Sequence, residues 1–315
     1  RLGFDRVFDT NFAADLTIIE EGTEFINRLQ KGGKLPLITS CSPGWIKFME
    51  HFYPELMENV STCKSPQQMF GAVAKTYYAQ KLGIDPQDMV VVSIMPCTAK
   101  KFECQREEMK SSGCQDVDYS LTTREAARML KEKGIDLREM PEEEFDDPLG
   151  ISTGAAAVFG ATGGVMEAAL RSVYEIVSGK TLESLDFYDV RGMEGVKEAT
   201  VNIDGLEVGV AVAHSLGNAR KILDQIKEGN SKYHFIEIMA CPGGCIGGGG
   251  QPIPTDLDIR MKRIEAIYQV DKNLSLRKSH ENPAIKQLYE EFLGEPNGEK
   301  AHQLLHTHYL PREKM

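Results

Sequence analysis

The segment "IEIMACPGGCIGGGGQP", residues 236–252, constrains the fold most strongly, because it places two cysteines among six glycines. Cys241 and Cys245 are four residues apart, which differs from the C-x-x-C spacing of zinc ribbons and thioredoxin-like dithiols. Residues four apart lie on one face where the backbone turns helically. The glycines lack the Cβ atoms that would keep a bulky inorganic group away from the main chain. The segment therefore predicts half of a metal-cluster pocket.

Composition excludes several classes of protein. The chain has a net charge of −11 and no lysine- and arginine-rich cluster, so we expect no nucleic-acid partner. No apolar run approaches the roughly 20 residues of a membrane-spanning helix. Seven cysteines without regular disulfide spacing indicate a reducing compartment, namely the cytoplasm or, in a eukaryote, a reducing organelle lumen. The sequence begins at Arg1, so we expect a preceding N-terminal part to be missing.

Alternating strand and helix patterns predict an α/β fold. Apolar, β-rich runs occupy residues 34–40, 89–96, 205–214 and 233–240. Helical patterns occupy residues 14–32, 65–83, 122–134 and 163–179. We expect two lobes, each a mainly parallel sheet flanked by helices, with a metal cluster in the cleft between them. An acidic stretch at 141–153 is expected to connect the lobes, and residues 256–315 are expected to form a helical strap.

Two further motifs end at predicted strands and add two cysteines. "TSCSPGW", residues 39–45, contains Cys41, and "MPCTAKKFE", residues 95–103, contains Cys97. Together with the two cysteines of the glycine-rich segment they supply four thiols from three loops, the number and type of ligand that hold a 4Fe-4S cluster. The remaining cysteines lack glycine and proline neighbours and are predicted to be small buried hydrophobic residues: Cys63, Cys104 and Cys114.

In this order and at these separations, the three motifs resemble the signature motifs of the iron-iron (FeFe) hydrogenase catalytic domain. The resemblance extends through residues 159–172, 190–199 and 279–283. It implies an enzyme that interconverts protons plus electrons and dihydrogen at an H-cluster, a 4Fe-4S cubane bridged to a two-iron unit with carbonyl, cyanide and dithiolate ligands. It also implies an H-cluster catalytic domain at residues 1–255 and a segment similar to the family's small subunit at 256–315.

The resemblance assigns residues to the cofactor. Cys97, Cys241 and Cys245 would be cubane ligands, with Cys245 also bridging to the two-iron unit. Lys100 would donate a hydrogen bond to a cyanide, which suits a compact group with three N–H donors; outside this motif it would be taken for a surface lysine. Further residues expected to line the cofactor are Met95, Pro96, Met239, Gly243 and Gly244.

The first motif departs from the family at Cys41-Ser42, where the family has two adjacent cysteines. Carried over by position, Cys41 is the residue that passes protons to the bridge, and Ser42 occupies the place of the fourth cubane ligand. A serine oxygen is a hard donor and a poor substitute for thiolate on iron. Donor softness favours Cys41 as the ligand after a small backbone adjustment. A variant with a labile cubane is the other interpretation.

A proton route is also implied by the resemblance. Glu21, Glu24 and Arg28 are spaced by three and four residues, hence on one helix face, and they match the family's carboxylate relay, which ends at an arginine. Ser61 matches its hydroxyl step. A relay of this kind needs titratable groups within hydrogen-bond reach of one another. The alternative is that these charges belong to a solvated helix face.

Electrons must come from elsewhere, because the C-x-x-C-x-x-C-x-x-x-C signature of ferredoxins is absent. We expect a ferredoxin, or accessory Fe-S domains or subunits, as the electron donor, and maturation proteins that install the cofactor. The main rival function is a non-catalytic relative, either a redox or hydrogen sensor or an Fe-S assembly factor. Ser42 favours this rival, whereas Lys100, Glu103 and the proton route favour catalysis. A zinc-stabilised interaction module is disfavoured, since C-x-x-C pairs are lacking.

Overall fold

In the computed structural model, which describes residues 1–313, six strands form two sheets. The larger sheet has the strand order β1-β6-β5-β4, in which β6 pairs in parallel with both β1 and β5, and β4 pairs antiparallel with β5. The smaller sheet is the parallel pair β2-β3. The strands are β1 (Leu37–Ile38), β2 (Val92–Met95), β3 (Tyr119–Thr122), β4 (Val196–Ile203), β5 (Leu206–His214) and β6 (Phe235–Met239).

Helices flank both sheets. Two of them continue through short π-helical turns, α3 into α4 at Ala74–Tyr78 and α11 at Tyr289–Leu293. In the described part of the chain the α-helices are α1 (Thr10–Lys31), α2 (Pro43–Phe52), α3 (Pro66–Val73), α4 (Ala79–Leu82), α5 (Ala99–Cys104), α6 (Thr123–Glu132), α7 (Gly154–Val158), α8 (Gly164–Ser178), α9 (Leu216–Lys227), α10 (Leu257–Asn273), α11 (Pro283–Leu288) and α12 (Glu299–Leu305). The predicted α/β class, with parallel strands flanked by helices, is confirmed.

Helix α1 is the central element of the core. Its N-terminus is capped by Asp9, whose carboxylate accepts from the amide of Asn11. Phe25 stacks on Phe235 of β6 with ring centroids 4.9 Å apart, which fixes the helix against the larger sheet. On another side, a Cβ added at Gly22 would lie 3.2 Å from Val173 of α8, so the two helices approach closely. Acidic residues on α1 are consequently buried between packed elements.

The C-terminal segment packs on this core through buried polar contacts. Arg171 of α8 donates to both oxygens of Asp271 on α10, at 2.8 and 2.9 Å. Asn282 donates to Asp15 of α1 at 2.9 Å. Residues 141–153 contain no helix or strand, and the proposed boundary there stays a prediction. Within residues 1–313, no helix has the length and apolarity needed to cross a bilayer.

Candidate metal centre

The ends of three strands bring the three cysteine motifs to one cavity of about 390 Å³. Strand β1 leads to Cys41 and Ser42, β2 leads to Cys97, and β6 leads to Cys241. The loops after β1 and β6 meet because these parallel strands share one edge of the larger sheet. The loop after β2 comes from the smaller sheet and joins them through the Gly250 amide, which donates to Pro96 at 3.0 Å. The cavity is also lined by sequence-predicted residues Met95, Pro96, Lys100, Met239, Gly244 and Cys245. Gly243, also predicted, lies where an added Cβ would be 2.9 Å from Ile246 and 3.0 Å from Met193.

Some of the wall was not predicted from sequence. Phe159 and Gly160 close one side, and Asp9, Thr10 and Asn11 at the start of α1 close another. Sequence reasoning missed the last three because they belong to no cysteine motif and reach the cavity only through tertiary packing. The helix cap at Asp9 predicts where α1 begins, but it does not predict that this end of the helix lies beside the cysteine loops.

The glycines of the third motif bring two ligand loops into contact. A Cβ at Gly248 would lie 2.0 Å from the carbonyl oxygen of Pro96, and one at Gly250 would lie 2.8 Å from the amide nitrogen of Cys97. Gly250 also donates its amide to the Pro96 oxygen at 3.0 Å. Gly244 has a φ of +90°, which side chains other than glycine rarely adopt. At Gly248 and Gly250 the close neighbour is protein backbone, so these glycines allow the two ligand loops to pack together.

Three thiols converge in the cavity. Burial, followed by the charges of Cys97 and Cys241, raises the pKa of Cys245 to about 12. Burial and then Cys97 raise the pKa of Cys241. Thiolates crowded together out of water are unfavourable without a positive partner. Soft donors in this arrangement fit an iron-sulfur cluster, which needs thiolate ligands and would neutralise their charge.

Cys41 and Ser42 face different neighbours. The Cys41 side chain is buried, and its pKa is raised by burial and by Glu21, whereas Lys100 lowers it. The Ser42 hydroxyl oxygen accepts a hydrogen bond from the amide of Ala240, the residue before Cys241, at 3.2 Å. Cys41 is therefore electrostatically coupled to Glu21 and Lys100, and Ser42 lies against the loop that carries two of the other thiols.

Lys100 is buried in the cavity wall, which excludes the surface-lysine alternative. Its ammonium donates to Glu103 at 2.9 Å and to the carbonyl of Cys41 at 3.2 Å. Burial alone would lower the pKa of Lys100, but Glu103 and the neighbouring thiols hold it above its ordinary value. Glu103 also accepts from Ser65 at 2.8 Å. A fixed positive charge therefore points into the pocket where anionic ligands would lie.

The four residues predicted for the proton route come together. Burial, followed by the charge of Glu24, raises the pKa of Glu21 to about 8, and its Oε2 has no partner in the described structure. Ser61 donates to Glu24 at 2.8 Å, and Arg28 donates to the other oxygen of Glu24 at 2.6 Å. Glu21 is 1% exposed and Glu24 8%. Burial of both carboxylates contradicts the solvated-face alternative.

Comparison with known families gives two adjacent matches. The family described as "Iron only hydrogenase large subunit, C-terminal domain" matches residues 1–249. The family described as "Iron hydrogenase small subunit" matches residues 257–312.

Individual relatives agree. The chain is 57% identical to the "NADP-reducing hydrogenase subunit HndD" of Solidesulfovibrio fructosivorans, over all of this chain and 55% of the relative. It is 55% identical to the "Periplasmic [Fe] hydrogenase large subunit" of Nitratidesulfovibrio vulgaris, over 80% of this chain and 61% of the relative. "Protein NAR1" of Arabidopsis thaliana is 34% identical over 98% of this chain and 71% of that protein. The chain thus spans little more than half the length of the two hydrogenase relatives.

Among solved structures, apo [FeFe]-hydrogenase HydA1 from Chlamydomonas reinhardtii, variant C377H, superposes with a TM-score of 0.87. The identity is 47%, and the match covers 99% of this chain and 86% of that one. With the large-subunit family matched along residues 1–249 and its three cysteine loops gathered around one cavity, this chain belongs to the iron-only (FeFe) hydrogenase family.

Proposed function

We propose that the chain interconverts protons plus electrons and dihydrogen at an H-cluster. The observation that carries this proposal is the buried series Glu21, Ser61, Glu24 and Arg28, in which Ser61 and Arg28 both donate to Glu24 and the charge of Glu24 raises the pKa of Glu21. Buried carboxylates are costly, and a protein that only stores or assembles a cluster has no need of such a series. A reaction that consumes and releases protons inside the protein does.

The cofactor proposal follows the donor set. Cys97, Cys241 and Cys245 would hold a 4Fe-4S cubane, and Cys245 would also bridge to a two-iron unit with carbonyl, cyanide and dithiolate ligands. When bound, the H-cluster supplies electron exchange and the iron site at which dihydrogen is formed or split. Lys100 would anchor a cyanide, since its ammonium already points into the cavity.

The chain's own residues deliver the proton. We assign Cys41 to the step nearest the cavity, because its thiol is coupled to Glu21 and Lys100. Glu21 can hold a proton at neutral pH and can accept or donate it toward Cys41 through its unpaired oxygen. Glu24 interacts electrostatically with Glu21, and both Ser61 and Arg28 donate to the carboxylate of Glu24. This assignment leaves Ser42 at the fourth cubane position.

Partners and location remain proposals as well. A ferredoxin or accessory Fe-S domains or subunits would supply electrons, and maturation proteins would install the two-iron unit. The HndD relative is named as one subunit of a hydrogenase, which supports an accessory-subunit partner. All seven cysteines are free in the structure, which suits the cytoplasm or another reducing compartment.

A second candidate is a non-catalytic Fe-S assembly factor or a sensor. Ser42 is the observation that favours it, because an oxygen donor weakens the hold on iron. The chain is also 31% identical, over its whole length, to the "Cytosolic iron-sulfur assembly component 3" of Rattus norvegicus, which supports this candidate.

The decisive experiment is the infrared spectrum of protein co-expressed with maturation proteins, together with a dihydrogen assay. We expect about four irons before maturation, then carbonyl and cyanide bands and turnover after it. A cubane without these bands or turnover would support the non-catalytic candidate. Zinc without a reducible cluster would overturn both.

A further inference from the structure

A second buried cluster of polar side chains adjoins the proton route and joins α1 to the C-terminal segment. Glu20 is fully buried, and its carboxylate accepts from the amide of Asn297 and the hydroxyl of Tyr289. Nε2 of His306 lies 2.9 Å from the same carboxylate. Backbone contacts hold His306 in place. The amide of Lys64 donates to the carbonyl of Leu305, and Cys63 and His306 form an antiparallel β-bridge.

This cluster lies next to Glu24. One carboxylate oxygen of Glu24, the Cys63 sulfur and one ring nitrogen of His306 all lie within 4.8 Å of one another. The Cys63 sulfur is 3.9 Å from Oε2 of Glu24. The amide of Thr62 donates to Glu24 at 3.2 Å, and the Thr62 hydroxyl lies 2.7 Å from Nδ1 of His306. A single thiol or water can therefore span the gap.

The cluster also reaches the surface. The ring of His302, an exposed residue of α12, lies next to the ring of His306, with centroids 4.1 Å apart and the planes tilted by 35°. Burial and then the charge of His306 lower the pKa of His302. By contrast, the other exit from Glu24 ends at Arg28, a guanidinium that does not lose its proton in proteins. A titratable outlet is chemically better suited to exchange protons with solvent.

We propose that His306 and His302 form a second branch of the proton route, which connects Glu24 to solvent through the C-terminal segment. This inference rests on the proposed function. In dihydrogen formation, a proton from solvent forms an N–H bond on His302, which breaks as an N–H bond forms on His306. The N–H bond of His306 then breaks as the water or the Cys63 thiol in the gap takes up the proton and releases one of its own, which forms an O–H bond on Glu24. No electron moves in these steps. The charged or titratable groups facing His306 are Glu20, Glu24, Cys63, Tyr289 and His302.

The test uses matured holoenzyme and two substitutions. His306→Gln keeps a hydrogen-bonding side chain but cannot titrate, so we expect dihydrogen turnover to fall roughly tenfold. This loss is smaller than the roughly 10²–10⁴-fold loss expected for a sole acid-base group, because the other exit from Glu24, which ends at Arg28, remains. The pH profile should lose part of its change near the histidine range. His302→Ala should show a smaller loss that added imidazole restores. His308→Gln, at an exposed position of the same segment, is the matched control and should retain wild-type turnover.

Three outcomes overturn the branch. The first is wild-type turnover with an unchanged pH profile in His306→Gln. The second is a loss of activity in His302→Ala that parallels loss of iron and is insensitive to imidazole. The ¹⁵N spectrum of the His306 ring is a readout independent of turnover, and it should change in Glu24→Gln. The third outcome that overturns the branch is an unchanged spectrum. An inactive wild-type holoenzyme would overturn the proposed function instead, while the ¹⁵N spectra would still report on the branch.

Discussion

At the scale of single residues, the neighbours of Cys41 and Ser42 separate two roles that the sequence left open. Donor softness alone favoured Cys41 as the fourth ligand. The coupling of Cys41 to Glu21 and Lys100 supports the relay role instead, and the contact of Ser42 with Ala240 supports its position beside the thiol-bearing loop.

Substitution at these two positions gives opposite results for the two assignments. If Cys41 relays protons, Cys41→Ala should keep its iron and lose most turnover, because alanine cannot pass a proton. Ser42→Cys should then hold the cubane more firmly against air and chelator, since thiolate replaces an oxygen donor on soft iron. Iron content and EPR of both variants provide the measurement. Loss of the cubane in Cys41→Ala would return the ligand role to Cys41.

Glu21 should make stability depend on pH. Its pKa is raised from 4.5 to about 8 by burial, so between these values the unfolded chain releases a proton that the folded chain keeps. Stability contributed by the neutral acid is present at low pH and falls as pH rises through this window, by up to about 1.4 kcal/mol per pH unit. Glu21→Gln should therefore gain stability relative to wild type as pH increases from 5 toward 8. Urea unfolding of protein lacking the two-iron unit measures this, and parallel curves would contradict it.

At the scale of elements, the loops between strands and helices depend on close backbone contact. Gly248→Ala should prevent cluster assembly, because its Cβ would lie 2.0 Å from the Pro96 oxygen and would separate two ligand loops. Gly249→Ala is the matched control, since its Cβ would meet only the side chain of Thr98, at 3.3 Å. Iron content after reconstitution measures the difference. Equal iron in both variants would mean that the loops tolerate separation.

The contact between α8 and α10 should contribute strongly to stability. Asp271 is fully buried and accepts from Arg171 and Arg277. Asp271→Asn removes the charge opposite two arginines, so we expect a loss of about 3–5 kcal/mol in the free energy of unfolding. The exposed pair Asp136–Arg138 is a control, and Asp136→Asn should leave stability almost unchanged, because solvent screens an exposed ion pair. Thermal unfolding measures the stability of both variants. An equal loss of stability in Asp271→Asn and Asp136→Asn would contradict the prediction.

What the sequence could predict at this scale followed from local pattern. Strands β1, β2, β5 and β6 were predictable because apolar runs mark buried strands, and the cysteine loops because their spacing is distinctive. Strands β3 and β4 were missed, because each mixes polar with apolar residues at a sheet edge and neither forms a continuous apolar run. The cluster of Glu20 and His306 was also missed, because its members are nearly 300 positions apart and only tertiary packing joins them.

At the scale of the whole molecule, the two family matches meet at a connection rather than within an element. Residues 252–254 are exposed and lie outside helices and strands, between the matches at 1–249 and 257–312. The contacts across this division are noncovalent: Arg171 with Asp271, Asp15 with Asn282, and Glu20 with His306. A continuous chain is therefore not required by the interface itself.

A protein divided after residue 255 should consequently reassemble. Co-expressed fragments 1–255 and 256–315 should copurify, because buried ion pairs and apolar side chains such as Leu288 and Leu305 join them. The relative named as a large subunit aligns over 80% of this chain, which agrees with a catalytic part made as its own polypeptide. Fragment 1–255 alone should lose stability, since Asp15, Glu20 and Arg171 would lose their buried partners. Size-exclusion chromatography measures the association of the two fragments, and iron content reports whether fragment 1–255 stays intact. A stable, iron-replete fragment 1–255 that fails to bind the second fragment would show that the C-terminal segment is dispensable for the core.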